Sequence, residues 1–509
     1  MILFALLAAL IGTAQAAAPI TTTTLGKVQG ASLGEVDVFK GIPFAAPPVG
    51  DLRWMPPVAP AKWMGVRKAT EWASECVQDN SPHVSGSEDC LYLNVWRPRV
   101  RTENLPVIVF IHGGSHLRGS PQQTMNGQEI YDGAKLAKNG NVIVVSIAYR
   151  LGSIGFLSHP KLSARSGYNG SGNYGYMDQI QALRWLKENV ASFGGDPRKI
   201  TVVGQSAGAW GVTMLLTSPL ASGLFDRAVL HSGGTMAKPL AEAEEIGQQL
   251  SQKAGCDKAE DEIACLKSKT PEELIHAMPG DAGSGSSHFT MVVDGYVLPE
   301  FPLRRMQSGL INRVPVLIGV AEEEASYLAN DVSEKITNEE EYRAAIRQQA
   351  GDAVDYVLGV YPLSNYESPR LAYNAIAADF VFVCPSRRIS RALAFGNIDF
   401  VGKFYFTQKI ASGPLARWGA AHAFDLFYLF GNFKATATEP TSEDLALSEK
   451  FQKQWARFAD VGVPNADGYD MWIRHEPMND TYYEMGRASG MKAWLRATEC
   501  NFWDMITPL

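Results

Sequence analysis

The apolar run Ile200-Thr201-Val202-Val203 breaks on Gly204-Gln205-Ser206-Ala207-Gly208 and continues into a helix-prone stretch, Ala207 to Leu216. Few folds admit a strand that turns so abruptly into a helix. In so tight a turn a side chain at residue 204 or 208 would collide with the neighbouring strand or helix, hence Gly204 and Gly208. The turn lifts Ser206 clear of the sheet and aims a helix N-terminus at charge developing beside it. Taken alone, the pentapeptide also reads as a glycine-rich turn with a solvent-facing serine. The strand before it and the helix after it favour a nucleophile elbow, with Ser206 as the candidate nucleophile.

Apolar β-branched runs recur at Val107-Ile111, Val142-Ile147, Ala228-Leu230 and Val316-Val320. Helix-patterned stretches lie between several of them, notably Met177 to Phe193 and Glu242 to Lys253. This alternation predicts an α/β fold: a large, mostly parallel central sheet with helices on both faces. A length of 509 residues fits several domains or one enlarged α/β unit. The Pro/Gly-rich piece from Pro43 to Pro60 and the Ser/Gly-rich piece from Asp281 to Ser287 read as loops, not boundaries. A single domain with long insertions is therefore expected over residues 19–509. A hydrophobic content of 46% with 19% charged residues supplies a large core. The formal net charge of -7 argues against nucleic acid or an anionic membrane as partner.

Met1 to Ile11 is almost wholly apolar and leads to Ala14-Gln15-Ala16-Ala17-Ala18. This reads as a signal peptide over residues 1–18, cleaved near Ala16 or Ala18, although no Lys or Arg precedes the apolar run. A buried N-terminal element is the alternative. The run is short for a membrane span, so no stable membrane insertion is expected and the mature protein is placed outside the cytoplasm, secreted or periplasmic. Six cysteines in an exported chain imply disulfides, with many pairings open. Cys76 with Cys90, and Cys256 with Cys265, can each close a short loop; Cys384 and Cys500 remain. That last bridge would stabilise by roughly 4–5 kcal/mol in the chain-entropy model.

A serine hydroxyl near neutral pH needs a base within hydrogen-bond reach. In an α/β-hydrolase the acid and then the histidine follow the serine along the chain. Five histidines follow Ser206: His231, His276, His288, His422 and His475. His231 comes too early after a strand, His276 lies in a charged helical stretch, and His288 precedes any well-placed acid. His475 lies among charges and reads as solvated. His422 stands in Gly419-Ala420-Ala421-His422-Ala423, small residues that let an imidazole lie on an exposed loop; a satisfied structural histidine is the competing reading. For the acid, Glu322, Glu323 and Glu324 follow the strand Val316-Val320, at the end where ligand sites of such sheets gather. A solvated charged loop competes, and spacing does not choose among the three. Phe110-Ile111-His112-Gly113-Gly114-Ser115 follows a strand, and its glycines let backbone N–H groups approach a developing oxyanion. Ala207 adds the N–H after the nucleophile, while a plain turn is the alternative.

These residues resemble the type-B carboxylesterase family, which includes cholinesterases and bile-salt-activated lipases. The likeness covers nearly the whole mature chain. It rests on Glu88-Asp89-Cys90-Leu91-Tyr92-Leu93-Asn94-Val95-Trp96, on Gly41-Ile42-Pro43-Phe44-Ala45, and on Asn173-Tyr174-Gly175 through Phe193-Gly194-Gly195-Asp196-Pro197. Phe458-Ala459, Gly462 and Pro464-Asn465 add to it. The resemblance implies an α/β-hydrolase fold and hydrolysis of carboxylic esters through an acyl-enzyme. It implies a triad of Ser206, His422 and Glu324, the acid lying in Gly319-Val320-Ala321-Glu322-Glu323-Glu324, with Ala325 in place of the family's glycine. It carries the oxyanion donors to Gly114, Ser115 and Ala207, with Gly113 shaping the turn; Ser115 replaces a commoner glycine or alanine. It also implies the pairs Cys76–Cys90, Cys256–Cys265 and Cys384–Cys500.

Departures bear on substrate. Cholinesterases hold a quaternary ammonium with a tryptophan inside the first disulfide loop, whereas Val77 to Asp89 holds no Trp, Tyr or Phe. Gln205 stands where cholinesterases carry Glu. A true cholinesterase is therefore not expected. Ser284 to Val293 resembles the acyl-pocket loop and brings Phe289 amid small residues, implying an open acyl side. No metal or organic cofactor is called for, and no Cys/His cluster has zinc spacing. A small-molecule ester is the expected partner. A triacylglycerol lipase, a lactonase, a detoxifying esterase and a non-catalytic binding domain of the same fold are the rival readings. Asn169 and Asn479 begin glycosylation sequons that chance also produces.

Overall fold

The computed structural model describes residues 18–80, 83–100, 103–280, 288–396 and 398–506. The proposed signal peptide, apart from Ala18, and the Asp281–Ser287 loop lie outside them. An eleven-stranded sheet organises the chain. In chain order its strands are β1 (Ala31–Leu33), β2 (Val36–Pro43), β3 (Tyr92–Pro98), β4 (Leu105–Ile111), β5 (Ile143–Ile147) and β6 (Gly195–Gln205). They continue with β7 (Arg227–His231), β8 (Val316–Ala321), β9 (Val401–Phe406), β10 (Tyr482–Met485) and β11 (Gly490–Lys492). The spatial order is β11-β10-β9-β8-β7-β6-β4-β5-β3-β2-β1. The run from β10 to β5 is parallel, and antiparallel strands flank it on both sides.

The helices that matter to the site are α1 (Tyr174–Asn189), α2 (Ala207–Thr217), α3 (Cys384–Phe395), α4 (Asp425–Phe430), α5 (Ser442–Val461) and α6 (Ala497–Ile506). Alternate residues of each strand feed opposite cores. Val107, Val109, Val202, Ala228 and Ile318 pack with Leu183, Val212 and Ile389 of α1, α2 and α3. Ile108, Phe110, Val203, Val229 and Leu317 pack with Leu429, Phe451 and Trp455 of α4 and α5. Burial on both faces is why these strands read as unbroken apolar runs rather than alternating ones. Where β9 broke that pattern, Lys403 is the reason: it is buried and donates to Asp480 at 2.8 Å. The strand before Ser206 begins at Gly195, five residues earlier than its apolar run, with a register shift between Gly195 and Ile200.

All three cysteine pairs are bonded as the resemblance implies, and no described cysteine is free. Cys384–Cys500 ties α6 to the start of α3.

Candidate active site

β6 sits between β4 and β7, where the strand order reverses, and crevices outside the carboxyl ends of parallel strands form at such points. Ser206 separates β6 from α2 with φ 55 and ψ -125, a conformation costly for a residue with a Cβ. Two backbone bonds hold it there. The Ser206 N–H donates to His231 O at 2.9 Å, and Trp210 N–H donates to Ser206 O at 3.0 Å. Both glycines of the elbow are required by contact: a Cβ on Gly204 would strike the Gly208 carbonyl, and one on Gly208 the Ile111 carbonyl.

β4 ends in the turn of Gly113, Gly114 and Ser115. Ser115 and His116 have φ of 58 and 61, and the N–H groups of Leu117 and Arg118 close the turn on Gly114 O at 3.0 and 3.1 Å. A Cβ on Gly113 would come within 2.9 Å of Ser206 Cβ, so the turn lies directly against the elbow. Two neutral imidazoles brace it. His112 stacks on Tyr149 and His116 Nε2 is 2.8 Å from the Tyr176 hydroxyl. Burial pulls them down to about 4 and about 3 respectively. Ala207 opens α2, buried behind Ser206.

Of the three glutamates after β8, only Glu324 meets His422. Its Oε2 is 2.5 Å from His422 Nδ1, while Oε1 accepts from the Ala321 N–H at 2.7 Å and from Ser232 Oγ at 2.5 Å. Glu322 instead pairs with Arg487 at 2.8 Å. Glu323 accepts from the Ala420 N–H at 2.7 Å and pairs with Lys409. His422 is buried rather than lying on an exposed loop, with Phe382 4.7 Å from its ring centre. The Tyr327 hydroxyl donates to His422 O at 3.1 Å. With Nδ1–H given to Glu324, Nε2 is the basic nitrogen. It accepts from the Gln205 amide at 2.9 Å, one residue before Ser206, and not from Ser206 Oγ.

Ser206, His422, Gly113, Gly114 and Ser115 line one cavity of about 760 Å³. Gln78 and Asn80 of the first disulfide loop also face it, so that wall is polar where an aromatic was absent from the sequence. Phe289 does not line it. It is buried, in the same core as Leu183 and Val212, rather than among the described lining residues. His475 is a correction: it is buried, its Nδ1–H donates to Thr481 O at 2.9 Å, and burial lowers it to about 4. His231 is buried against Asp425 at 2.5 Å and Trp455 at 3.1 Å, outside the cavity lining, and His276 and His288 do not line it either. Among the described residues no group of His, Cys, Asp or Glu is arranged to hold a metal.

Sequence reasoning missed Ser232, Gln205 as a partner of His422, and Glu323 as an anchor of its loop. Ser232 had a findable signal: it follows β7 directly, at the same carboxyl edge as the other site residues.

The Carboxylesterase family model matches residues 17–503. The chain belongs to the carboxylesterase family. It is an α/β-hydrolase and a carboxylic-ester hydrolase. Carboxylesterase relatives include "Fumonisin B1 esterase" of Sphingopyxis macrogoltabida, 35% identical with 89% of this chain and 84% of the relative covered. "Cholinesterase" of Mus musculus is 32% identical, covering 96% and 87%. Among solved structures, a PNB esterase superposes with a TM-score of 0.81 at 30% identity, covering 95% and 99% of the two chains.

Proposed function

We propose that this carboxylesterase is an exported serine enzyme that cleaves carboxylic esters through a covalent acyl-enzyme. The observation that carries this reading is the Glu324–His422 contact at 2.5 Å, with Nε2 held by the Gln205 amide, one residue before Ser206 in its strained turn. His422 swings its Nε2 from the Gln205 amide to Ser206 Oγ and takes the proton as Oγ attacks the ester carbonyl. The N–H groups of Gly114, Ser115 and Ala207 stabilise the oxyanion. His422 then protonates the leaving alcohol, and water repeats the cycle to release the acid. Glu324, held by Ser232 and the Ala321 N–H, stays ionised and steadies the imidazolium.

Three disulfides and the apolar leader of residues 1–18 support export. No described helix is long and apolar enough to cross a membrane. Choline esters are disfavoured because Gln205 is neutral and the 77–89 loop brings no aromatic ring to the cavity.

A serine-directed organophosphate should label Ser206, read by peptide mass spectrometry, and Ser206→Ala should abolish p-nitrophenyl acetate hydrolysis. Robust turnover by that variant would refute the assignment. A chain-length series of p-nitrophenyl esters, with and without an emulsified lipid interface, separates esterase from lipase: activity independent of the interface is expected.

A further inference from the structure

The chain carries a net charge of -7, yet its cavity is not acidic. Arg118 is the only Lys or Arg among the described cavity-lining residues. It is rooted in the turn of Gly113 to Ser115, its own N–H closing on Gly114 O. Its side chain is exposed and has no carboxylate partner among the described residues. The guanidinium also acts on the Tyr327 phenol. Burial and then Glu324 push that phenol up, and the Arg118 charge pulls weakly the other way.

Two further guanidinium groups lie against Trp418, another lining residue: Arg417 at 4.2 Å from the ring centre and Arg370 at 5.9 Å. Neither is ion-paired among the described residues; Arg370 donates to the neutral Asn330 at 3.0 Å. The two acids before Glu324 are already engaged, Glu322 by Arg487 and Glu323 by Lys409. Glu75 is the single carboxylate among the described lining residues and accepts from Ser85 Oγ at 2.6 Å.

We infer that this cavity selects esters bearing a free carboxylate, which Arg118 pairs while the ester carbonyl lies at the Ser206 turn. The inference rests on the esterase reading and names its substrate class. A planar guanidinium with open donors beside low-dielectric walls is suited to bidentate capture of a carboxylate. The two guanidiniums on Trp418 add a positive field at that wall that steers an anion inward and fades with salt. Gln205 fits the same polarity, since a carboxylate there would repel such a substrate.

The test compares monoethyl adipate with ethyl hexanoate and diethyl adipate, with alcohol release followed by chromatography. The wild-type protein should favour the monoester in kcat/KM by about tenfold over the neutral esters at low salt, with the advantage shrinking in about 0.5 M NaCl. Arg118→Gln should reduce kcat/KM for monoethyl adipate about fivefold more than for ethyl hexanoate, chiefly through KM, and Arg118→Lys should restore part of the difference. Arg417→Gln should lower the salt dependence. Turnover of the neutral esters with no preference for the monoester overturns the inference and leaves the esterase reading standing. Equal losses on all three substrates in Arg118→Gln overturn it as well, since the side chain would then only support the turn. Absence of turnover of all three by wild type sinks both readings.

Discussion

Adding one methyl group at Gly113 probes how closely the proposed oxyanion turn is fitted to Ser206, the proposed nucleophile. The new Cβ would approach Gln205 Oε1 to 2.7 Å and Ser206 Cβ to 2.9 Å, so one of the two segments must retreat. Because donors act only when aimed at the developing charge, Gly113→Ala should lower kcat by about 10²-fold with an unchanged circular dichroism spectrum. Glu324→Gln tests the other side of the site. It keeps the volume but removes the charge proposed to fix the His422 tautomer, and on that proposal kcat should fall by about 10³–10⁴-fold in steady-state assays on p-nitrophenyl acetate. At this scale the sharp turn at Ser206 was legible because its pattern is local: a strand, two glycines and a helix within a few residues. His422 and Glu324, 98 positions apart, meet only in three dimensions, and no local rule ranks Glu324 above its two neighbours. Their assignment came from the family resemblance. His475 was misread for the complementary reason, since charged neighbours in sequence do not reveal whether an imidazole is buried.

Elements decide how rigidly those residues are presented. The His422 segment is sewn to the end of β8 by reciprocal bonds: the Glu323 N–H donates to Ala420 O at 2.9 Å and the Ala420 N–H returns to Glu323 Oε2 at 2.7 Å. Gly419, at φ 68, makes room, because a Cβ there would come 2.6 Å from the Glu323 carboxyl carbon. Glu323→Ala removes one of those bonds and the Lys409 partner while leaving Glu324 in place. Its kcat should drop about 10-fold or more with little change in KM, and Glu323→Gln, which keeps an acceptor for Ala420, should recover much of it. The alternation of strands and helices exposed the parallel middle of the sheet in the sequence, because two-sided burial writes unbroken apolar runs. Its flanks were harder to see. β9 hides behind Gly402 and the buried Lys403, and β10 is only four residues long.

Across the whole molecule, acid should be the weak point of the fold. His112, His116 and His475 are buried neutral imidazoles, lowered by desolvation from 6.5 to about 4, about 3 and about 4. Below the ordinary histidine value the unfolded chain takes up protons that the folded chain refuses, so each site withdraws stability as pH falls from about 6.5 towards its folded value. Above about pH 7 both states are neutral and the contribution is flat. One such histidine withdraws about 2 kcal/mol by pH 5, and three together are comparable to the whole stability of an ordinary domain. The buried carboxyls of Asp294 and Asp379 act in the opposite sense, since desolvation raises them and the fold accepts their protons early. Their window runs upward from the usual carboxylate range. Tm should therefore be level from about pH 8 to 7 and decline from about pH 6.5 downward, measured by calorimetry in buffers of equal ionic strength. His475→Gln separates this cause from general charge repulsion. The variant loses stability at neutral pH with its bond to Thr481, yet its decline between about pH 7 and 5 should be shallower than that of the wild type by about 2 kcal/mol. Parallel curves for the two proteins would mean that the His475 imidazole accepts its proton without unfolding, and that the acid sensitivity originates elsewhere in the charge distribution.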